Sequence, residues 1–185
     1  GNNLKLIEKA ATLTADVLVL DLEDAVAPTE KDAAREIVRG SVGPVGKNGA
    51  DVYVRVNDWV TGLTDKDVEA IVQPGLSGIV LSKTEGPEDV MRLDRKLTSL
   101  EQERGISQNH IAIQVLAETA RGVLNAFKSC SASERVNSVV FGAVDYTRDM
   151  RIKLTEEGTV VARAQVAIAA RAAGVIAIDP PWPAF

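Results

Sequence analysis

Six short apolar runs, each followed by a helical pattern, constrain the fold of this chain more than any other feature of its sequence. The runs are rich in Val and Ile and span residues 16–22, 52–56, 78–82, 111–116, 138–143 and 174–178. Strands buried on both faces of a parallel sheet have this composition. Successive runs begin roughly 25–40 residues apart, the length of a βα unit. The sequence therefore predicts an α/β fold with a parallel sheet.

The number of runs selects between two α/β architectures. A TIM (β/α)8 barrel typically needs about 200–250 residues and eight strands, whereas this chain has 185 residues and six candidate strands. We therefore predict that residues 1–185 form a single, partial βα-barrel domain whose first and last strands are missing from this chain. The alternative is an open, doubly wound sheet, which requires a reversal of strand order.

Local signals predict where the helices begin and end. Two helix starts are predicted by pairs with capping-box spacing, Thr29 with Asp32 and Thr64 with Asp67. Gly40 is expected to end the first of these helices, and residues 40–49 are expected to form a flexible connection. Gly174 is expected to terminate the last helix. The first helix is expected to bury Leu4, Ile7 and Ala11 on one side.

Charge and hydropathy exclude several classes of partner. The chain carries 21 basic and 26 acidic residues, a net charge of -5, and shows no basic stripe. No nucleic acid and no anionic membrane are therefore expected as partners. No apolar run approaches the roughly 18–20 residues that span a bilayer. The chain opens directly on a helical pattern without a signal peptide, so we expect a cytoplasmic location.

A single cysteine and a single histidine limit the metal chemistry. Cys130 cannot form a disulfide within the chain, which suits a reducing compartment, and its surroundings predict an inert thiol. The lone His110 excludes any site that needs two histidines. A metal bound by this chain must therefore use oxygen ligands.

Ionisable residues follow the predicted strands. In both architectures, catalytic groups collect at the carboxyl ends of the strands. The residues at these positions are Asp21, Glu23 and Asp24, then Arg55 and Asn57, then Lys83, Glu118, Asp145 and Asp179. Several carboxylates converging with one Arg and one Lys are costly to hold together unless a cation or ligand compensates them.

Glu118 and Asp145 are the candidate metal ligands. They follow consecutive strands, so their carboxylates could lie side by side and would repel each other without a cation. Mg²⁺ typically takes one or two protein carboxylates, with water and substrate oxygens completing its octahedron. The alternative is that each carboxylate caps the helix that follows it.

Arg55 is the candidate anion-binding residue, because an interior-facing guanidinium can grip a carboxylate at two points. The alternative is a structural ion pair with Glu23 or Asp24; both could hold if the acidic pair aligns the guanidinium. Glu23 and Asp24 could instead orient metal-bound waters. Lys83 could neutralise a substrate carboxylate or phosphate, or be a solvated loop residue, and Asn57 is a further candidate for substrate binding.

These residues lie in motifs that resemble the citrate lyase beta-subunit and malyl-CoA lyase-like family. The resemblance covers nearly the whole chain in order. Its motifs are residues 16–26 (DVLVLDLEDAV) with Lys31 and Ala34-Arg35, Val54-Arg55-Val56-Asn57, Glu118-Thr119 with Gly122, Phe141-Gly142-Ala143 with Asp145, and Ala177-Ile178-Asp179-Pro180. There are two mild departures, since Ser82 and Ala117 replace the family's usual Pro and Ile. In malyl-CoA lyase relatives a C-terminal segment forms a lid that supplies a catalytic aspartate, and the resemblance does not extend to that segment.

The resemblance implies a barrel and a Mg²⁺-dependent carbon–carbon lyase. Its substrate would be a 3-hydroxyacyl-CoA of the citryl-, malyl- or citramalyl-CoA type, cleaved to a keto acid and an acyl-CoA. Glu118 and Asp145 would be the metal ligands, Arg55 the clamp for the substrate carboxylate, and Glu23 and Asp24 the catalytic acidic pair near the metal and its waters. The resemblance also implies a homo-oligomer, often a trimer, or a subunit of a larger lyase complex.

Two other classes of function stay open at this level. The same metal site could serve an aldolase on free hydroxy-keto acids or a thioesterase on malyl-CoA. A truncated barrel could instead be a non-enzymatic scaffold subunit.

Overall fold

The computed structural model describes residues 1–180, in which a parallel sheet alternates with helices. The six strands are β1 Val17–Asp21, β2 Asp51–Val56, β3 Gly78–Leu81, β4 Ala112–Ala117, β5 Val136–Phe141 and β6 Ile176–Ile178. The seven α-helices are α1 Leu4–Ala10, α2 Lys31–Gly46, α3 Thr64–Ile71, α4 Pro87–Glu103, α5 Ala120–Cys130, α6 Ala143–Asp149 and α7 Glu156–Ala173. Short 3₁₀ helices occupy Pro28–Glu30 and Trp59–Thr61.

The strand order confirms the α/β prediction and decides between its two forms. The sheet runs β1-β2-β3-β4-β5-β6, and β1–β2, β4–β5 and β5–β6 pair in parallel. A doubly wound sheet reverses its strand order, and the order among the described strands shows no reversal, so that alternative is wrong. All six predicted strands are present; the fifth ends earlier than expected, because Ala143 begins α6.

The chain divides into two compact units. Unit 1 comprises residues 1–80 and 95–112, and unit 2 comprises residues 81–94 and those from 113 onward. In unit 1, α2 and α3 cover strand residues such as Val52 and Val54, which are fully buried. In unit 2, α5 and α7 pack on each other and on β5, burying Val123, Val139 and Val166.

Helix α2 contradicts one sequence-based expectation. It continues through Gly40 and Pro44 to Gly46, so residues 40–46 are helical rather than a flexible connection. A mid-helix glycine costs about 1 kcal/mol and a mid-helix proline about 3 kcal/mol, whereas full burial of a valine contributes about 1.5–3 kcal/mol. Val38, Val42 and Val45 are all fully buried, and their combined burial offsets the local helix-breaking tendency.

The prediction for the first helix is wrong in part, and the prediction for the end of the last helix is confirmed. Of the three side chains expected to be buried on α1, Ile7 is buried, but Leu4 is 55% exposed and Ala11 is half-buried. Helix α7 ends at Gly174 in the left-handed conformation, φ 77°, as predicted.

Among residues 1–180, no helix combines the length and the apolar composition that a membrane span requires.

Candidate functional site

In unit 1, the ends of β1 and β2 bring Asp21 and Arg55 together. The two residues are direct partners in the parallel register. Arg55 Nε donates to Asp21 Oδ1 at 2.8 Å, and Arg55 Nη2 donates to Asp21 Oδ2 at 2.5 Å. This two-point fork is the strong geometry of an arginine–carboxylate pair. Sequence reasoning placed Asp21 at the strand end but missed its role as the main partner of Arg55.

Glu23 supplies the second carboxylate on Arg55, as the structural alternative predicted. Its Oε2 lies 2.9 Å from Arg55 Nη1, and its side chain is 5% exposed. Asp24 is exposed, and its backbone N–H donates to Glu23 Oε2 at 3.2 Å. The structure therefore brings Arg55 together with Asp21 and Glu23.

The electrostatics of this pairing follow from partial burial. Burial by itself would raise the pKa of the Asp21 carboxyl. The hydrogen bond and charge of Arg55, together with the amides of Glu23 and Ala25, outweigh burial and hold that pKa below its ordinary value of 3.8. Burial would likewise lower the pKa of Arg55, but Asp21 and Glu23 raise it well above its ordinary value. Asp21 and Arg55 are therefore both charged at neutral pH.

A buried polar network fixes the segment after β2. Asp67 is fully buried; its Oδ1 accepts from Arg35 Nε at 2.6 Å, and its Oδ2 accepts from Asn57 N and Nδ2 at 2.9 and 2.6 Å. Asn57 Nδ2 also donates to the carbonyl of Leu22 at 3.1 Å. The capping prediction for Asp67 is wrong, because Leu63 is the N-cap of α3 and makes no side-chain capping bond.

Lys31 holds the loop that follows β1. Its Nζ donates to the carbonyls of Leu22 and Glu23 at 2.7 and 2.6 Å. Burial lowers the pKa of Lys31, and the carboxylates of Asp67, Glu23, Asp21 and Asp24 act against that shift. The loop carrying Glu23 is thus anchored by a cation on its backbone.

In unit 2, Glu118 is a buried carboxylate at the end of β4. It is 2% exposed, and its Oε1 accepts from the backbone N–H of Lys83 at 2.8 Å. Lys83 has φ 44°, in the left-handed region that non-glycine residues rarely adopt. The half-buried Lys83 thus anchors Glu118 through its backbone. Glu118 does not cap α5, since Thr119 is the N-cap and its Oγ1 accepts from Gly122 N at 2.9 Å.

Gly142 connects Glu118 to the helix that carries Asp145. A Cβ added to Gly142 would stand 2.4 Å from Glu118 Cβ and 2.7 Å from Glu118 Oε2. Gly142 is also the N-cap residue of α6, in whose first turn Asp145 lies. The Glu118 carboxylate therefore lies against the start of α6, three residues before Asp145.

Asp145 forms an ion pair within its own helix. Its Oδ1 accepts from Arg148 Nη1 at 2.9 Å, with side-chain exposures of 14% for Asp145 and 74% for Arg148. Pairs with such exposed partners contribute about 0–1 kcal/mol. Because Arg148 is largely exposed, this pair constrains Asp145 only weakly.

The donor set of these two carboxylates suits a hard divalent cation. Mg²⁺ needs few protein ligands, because water and substrate oxygens complete its shell. No group of three or more His, Cys, Asp or Glu residues among residues 1–180 has the arrangement of a metal cage. Two carboxylates match the number of protein ligands that Mg²⁺ typically takes. Cys130 is buried, and burial raises the pKa of its thiol to about 11, which disfavours the reactive thiolate.

The sequence model of the HpcH/HpaI aldolase/citrate lyase family matches residues 1–183. Citrate lyase subunit beta of Leuconostoc mesenteroides subsp. cremoris is 34% identical over 181 residues, covering 97% of this chain and 60% of the relative. Mitochondrial citramalyl-CoA lyase of Homo sapiens is 30% identical over 191 residues, covering 97% of this chain and 56% of the relative. This chain thus spans about 60% of the length of the curated relatives it matches.

One solved structure similar to this chain is the magnesium/glyoxylate complex of Haloferax volcanii malate synthase. It is 26% identical, with a TM-score of 0.83, and the likeness covers 96% of this chain and 59% of the synthase.

Proposed function

Because the chain belongs to the HpcH/HpaI aldolase/citrate lyase family, we propose that the protein is a Mg²⁺-dependent carbon–carbon lyase acting on a 3-hydroxyacyl-CoA. The reaction removes the hydroxyl proton and breaks the adjacent carbon–carbon bond. The hydroxyl carbon becomes the carbonyl of a keto acid, and the bonding electrons form a thioester enolate that is protonated to the acyl-CoA. Citryl-, malyl- and citramalyl-CoA are the candidate substrates.

The observation that carries this proposal is the buried carboxylate of Glu118 against Gly142, at the start of the helix that bears Asp145. We propose that these two carboxylates hold the Mg²⁺. When bound, Mg²⁺ supplies Lewis-acid polarisation of the substrate oxygens and a template for the keto acid. The amide of Lys83 fixes one oxygen of Glu118 and limits the rotation of its carboxylate.

Arg55 is proposed to bind the substrate carboxylate. A guanidinium has five N–H donors, and the described contacts to Asp21 and Glu23 use three of its nitrogens once each. The donors left on the two terminal nitrogens suit a further carboxylate. Asp21 and Glu23 align the guanidinium, which limits the entropy lost when the substrate binds.

We propose supporting roles for four further residues that the sequence analysis identified. Glu23 and Asp24 are proposed as the acidic pair near the metal and its waters; exposed Asp24 can hold or move a proton. Lys83 and Asn57 are proposed as further contacts of the substrate. Because the Asn57 amide donates to Asp67 and Leu22, its main effect would be to hold its loop in place.

An aldolase acting on free hydroxy-keto acids is the second candidate function, because the matched family includes aldolases. Such an enzyme would use the same ligands and the same Arg55, and would differ only in needing no thioester. The substrate assay below separates the two candidates.

The test is product formation from citryl-, malyl- and citramalyl-CoA and from the matching free acids, with and without Mg²⁺. We expect keto acid from at least one thioester, lost on chelation and in Glu118→Gln. Arg92→Gln on α4 is a matched control that removes a charge elsewhere in unit 2. Turnover of the free acids alone would reject the acyl-CoA lyase and support the aldolase. Thioester hydrolysis without carbon–carbon cleavage would indicate the thioesterase. No turnover and no Mg²⁺ binding would favour the scaffold.

We further propose the whole-protein properties that the family resemblance implies. These are a complete eight-stranded barrel formed as a single domain, and a homo-oligomer, with a trimer favoured, or a place in a larger lyase complex. The lone buried thiol of Cys130 supports the proposed reducing, cytoplasmic location. Mass measurement of the native protein by light scattering tests the oligomer.

A further inference from the structure

Helix α6 ends on a carboxylate that is bound to the start of a different helix. Asp149 is the last residue of α6, and its Oδ2 accepts from the backbone N–H of Ala120 at 2.8 Å. Ala120 is the first residue of α5 and lies two positions after Glu118. The contact therefore ties the segment that carries one proposed metal ligand to the helix that carries the other.

The position of Asp149 is unfavourable for its own helix. A negative charge at a helix C-terminus opposes the helix dipole, whereas the same charge at a helix N-terminus is stabilised. Helix α5 already has a local cap in Thr119, whose Oγ1 accepts from Gly122 N. Asp149 thus adds a second, long-range acceptor to a helix start that is already capped.

Glu118 and Asp145 are joined by contacts on two sides. On one side, Gly142 at the start of α6 lies against the Glu118 side chain. On the other, Asp149 at the end of α6 accepts from Ala120. With both ends of this short helix fixed to the segment after β4, α6 has little freedom to rotate, and Asp145 stays in place relative to Glu118.

We propose that Asp149 is a positioning residue for the metal site, acting through its bond to the Ala120 amide to set the separation of Glu118 and Asp145. This inference rests on the proposed function, because it takes those two carboxylates as the metal ligands. Losing the bond frees α6 to shift, so the two ligands bind a cation less tightly. Loss of a group that orients metal ligands typically costs 10–100-fold in affinity.

The test measures Mn²⁺ affinity by the loss of the free-ion EPR signal, with Mg²⁺ as competitor, on the whole protein. Asp149→Ala is expected to weaken Mn²⁺ binding about tenfold. Asp149→Asn keeps an acceptor oxygen and should stay within about threefold of the wild type. The matched control is Thr155→Ala, which removes the Oγ1 cap of α7 at Gly158 N. It should lower Tm as Asp149→Ala does and leave Mn²⁺ affinity unchanged.

The outcomes separate the two proposals. Equal Mn²⁺ affinity in the wild type and in Asp149→Ala would overturn the positioning role and leave the proposed metal site intact. Weakening by Thr155→Ala equal to that by Asp149→Ala would overturn it too, because general destabilisation would then be the cause. Wild-type protein that binds no Mn²⁺ would overturn the proposed metal site, and the inference with it.

Discussion

The carboxylates of the Arg55 cluster in unit 1 and those of Glu118 and Asp145 in unit 2 have different kinds of partner. In unit 1, Asp21 and Glu23 share the guanidinium of Arg55, which forks onto Asp21 and also reaches Glu23. In unit 2, Glu118 accepts from a backbone amide, and Asp145 accepts from an exposed arginine. The first cluster thus carries its own cation, whereas the second is proposed to bind a metal ion.

Because of this difference, we expect substitutions in the two regions to change different properties of the protein. Breaking a partly buried ion pair leaves a charge that the protein must desolvate, so changes in unit 1 should appear first as lost stability. Changes around Glu118 and Asp145 should appear first as lost cation affinity. Each of the following substitutions tests one side of this contrast.

The largest effect is expected for Gly142→Ala. The new methyl group would collide with the Cβ and carboxylate of Glu118, while φ -91° and ψ 87° at Gly142 suit any residue. We expect Mn²⁺ affinity to fall about 100-fold, measured by EPR titration. The control is Gly40→Ala, which meets nothing within 4 Å in the middle of α2 and should stabilise the fold slightly. Unchanged Mn²⁺ binding in Gly142→Ala would break the contrast.

Arg55→Lys should come next. Lysine keeps the charge but loses the two-point fork onto Asp21. We expect the free energy of unfolding to fall by about 2 kcal/mol. This is less than the roughly 3–5 kcal/mol lost when one partner of a buried pair is removed, because lysine keeps the positive charge and the Arg55 side chain is 23% exposed. Urea denaturation measures this change. Arg163→Lys removes a similar fork onto Asp179 at a more exposed site. Equal losses in the two variants would show that burial does not set the cost.

Asp21 makes the unit 1 cluster sensitive to acid. Its folded pKa lies below the ordinary value of 3.8, so its stabilisation is fully present above about pH 5 and is lost as the pH falls through the folded pKa. The stability difference between wild type and Asp21→Asn should therefore shrink from pH 6 to pH 3. Urea denaturation at constant ionic strength measures it. A difference that stays constant with pH would mean that the Asp21 charge is not what stabilises the cluster.

Arg148→Ala should have the smallest effect. Its pair with Asp145 is largely exposed, so Mn²⁺ affinity should rise by no more than about threefold, and stability should change by less than about 0.5 kcal/mol. EPR titration and thermal denaturation measure the two quantities. A large gain in affinity would show that Arg148 competes with the cation, and that unit 2, like unit 1, carries its own countercharge.

The sheet could be predicted from the sequence because its signal is local and repeated. Six apolar runs separated by helical stretches specify an α/β fold, whatever their exact ends. Strand order was harder, since either architecture contains the same runs, and only the pairing of strands excludes the reversal. The end of α2 was mispredicted because glycine and proline act locally, whereas Val42 and Val45 are buried by distant parts of unit 1.

The polar contacts of the candidate site show the same limit. Asp67 has the spacing of a helix cap, but its partners are Arg35 and Asn57, which lie 32 and 10 residues away. The pairing of Asp21 with Arg55 follows from strand register, which a list of strand-end residues does not contain. Register could have found it: both residues lie close to the ends of neighbouring strands, and parallel pairing places them side by side.

The anchor of Glu118 has an evolutionary consequence. The group that binds it is the peptide N–H of position 83, which every residue except proline possesses. A substitution at this position therefore leaves this backbone donor in place. The main restriction is the left-handed backbone, which glycine or asparagine would adopt most easily. Position 83 can thus vary in the size and charge of its side chain while this backbone anchor of Glu118 is retained.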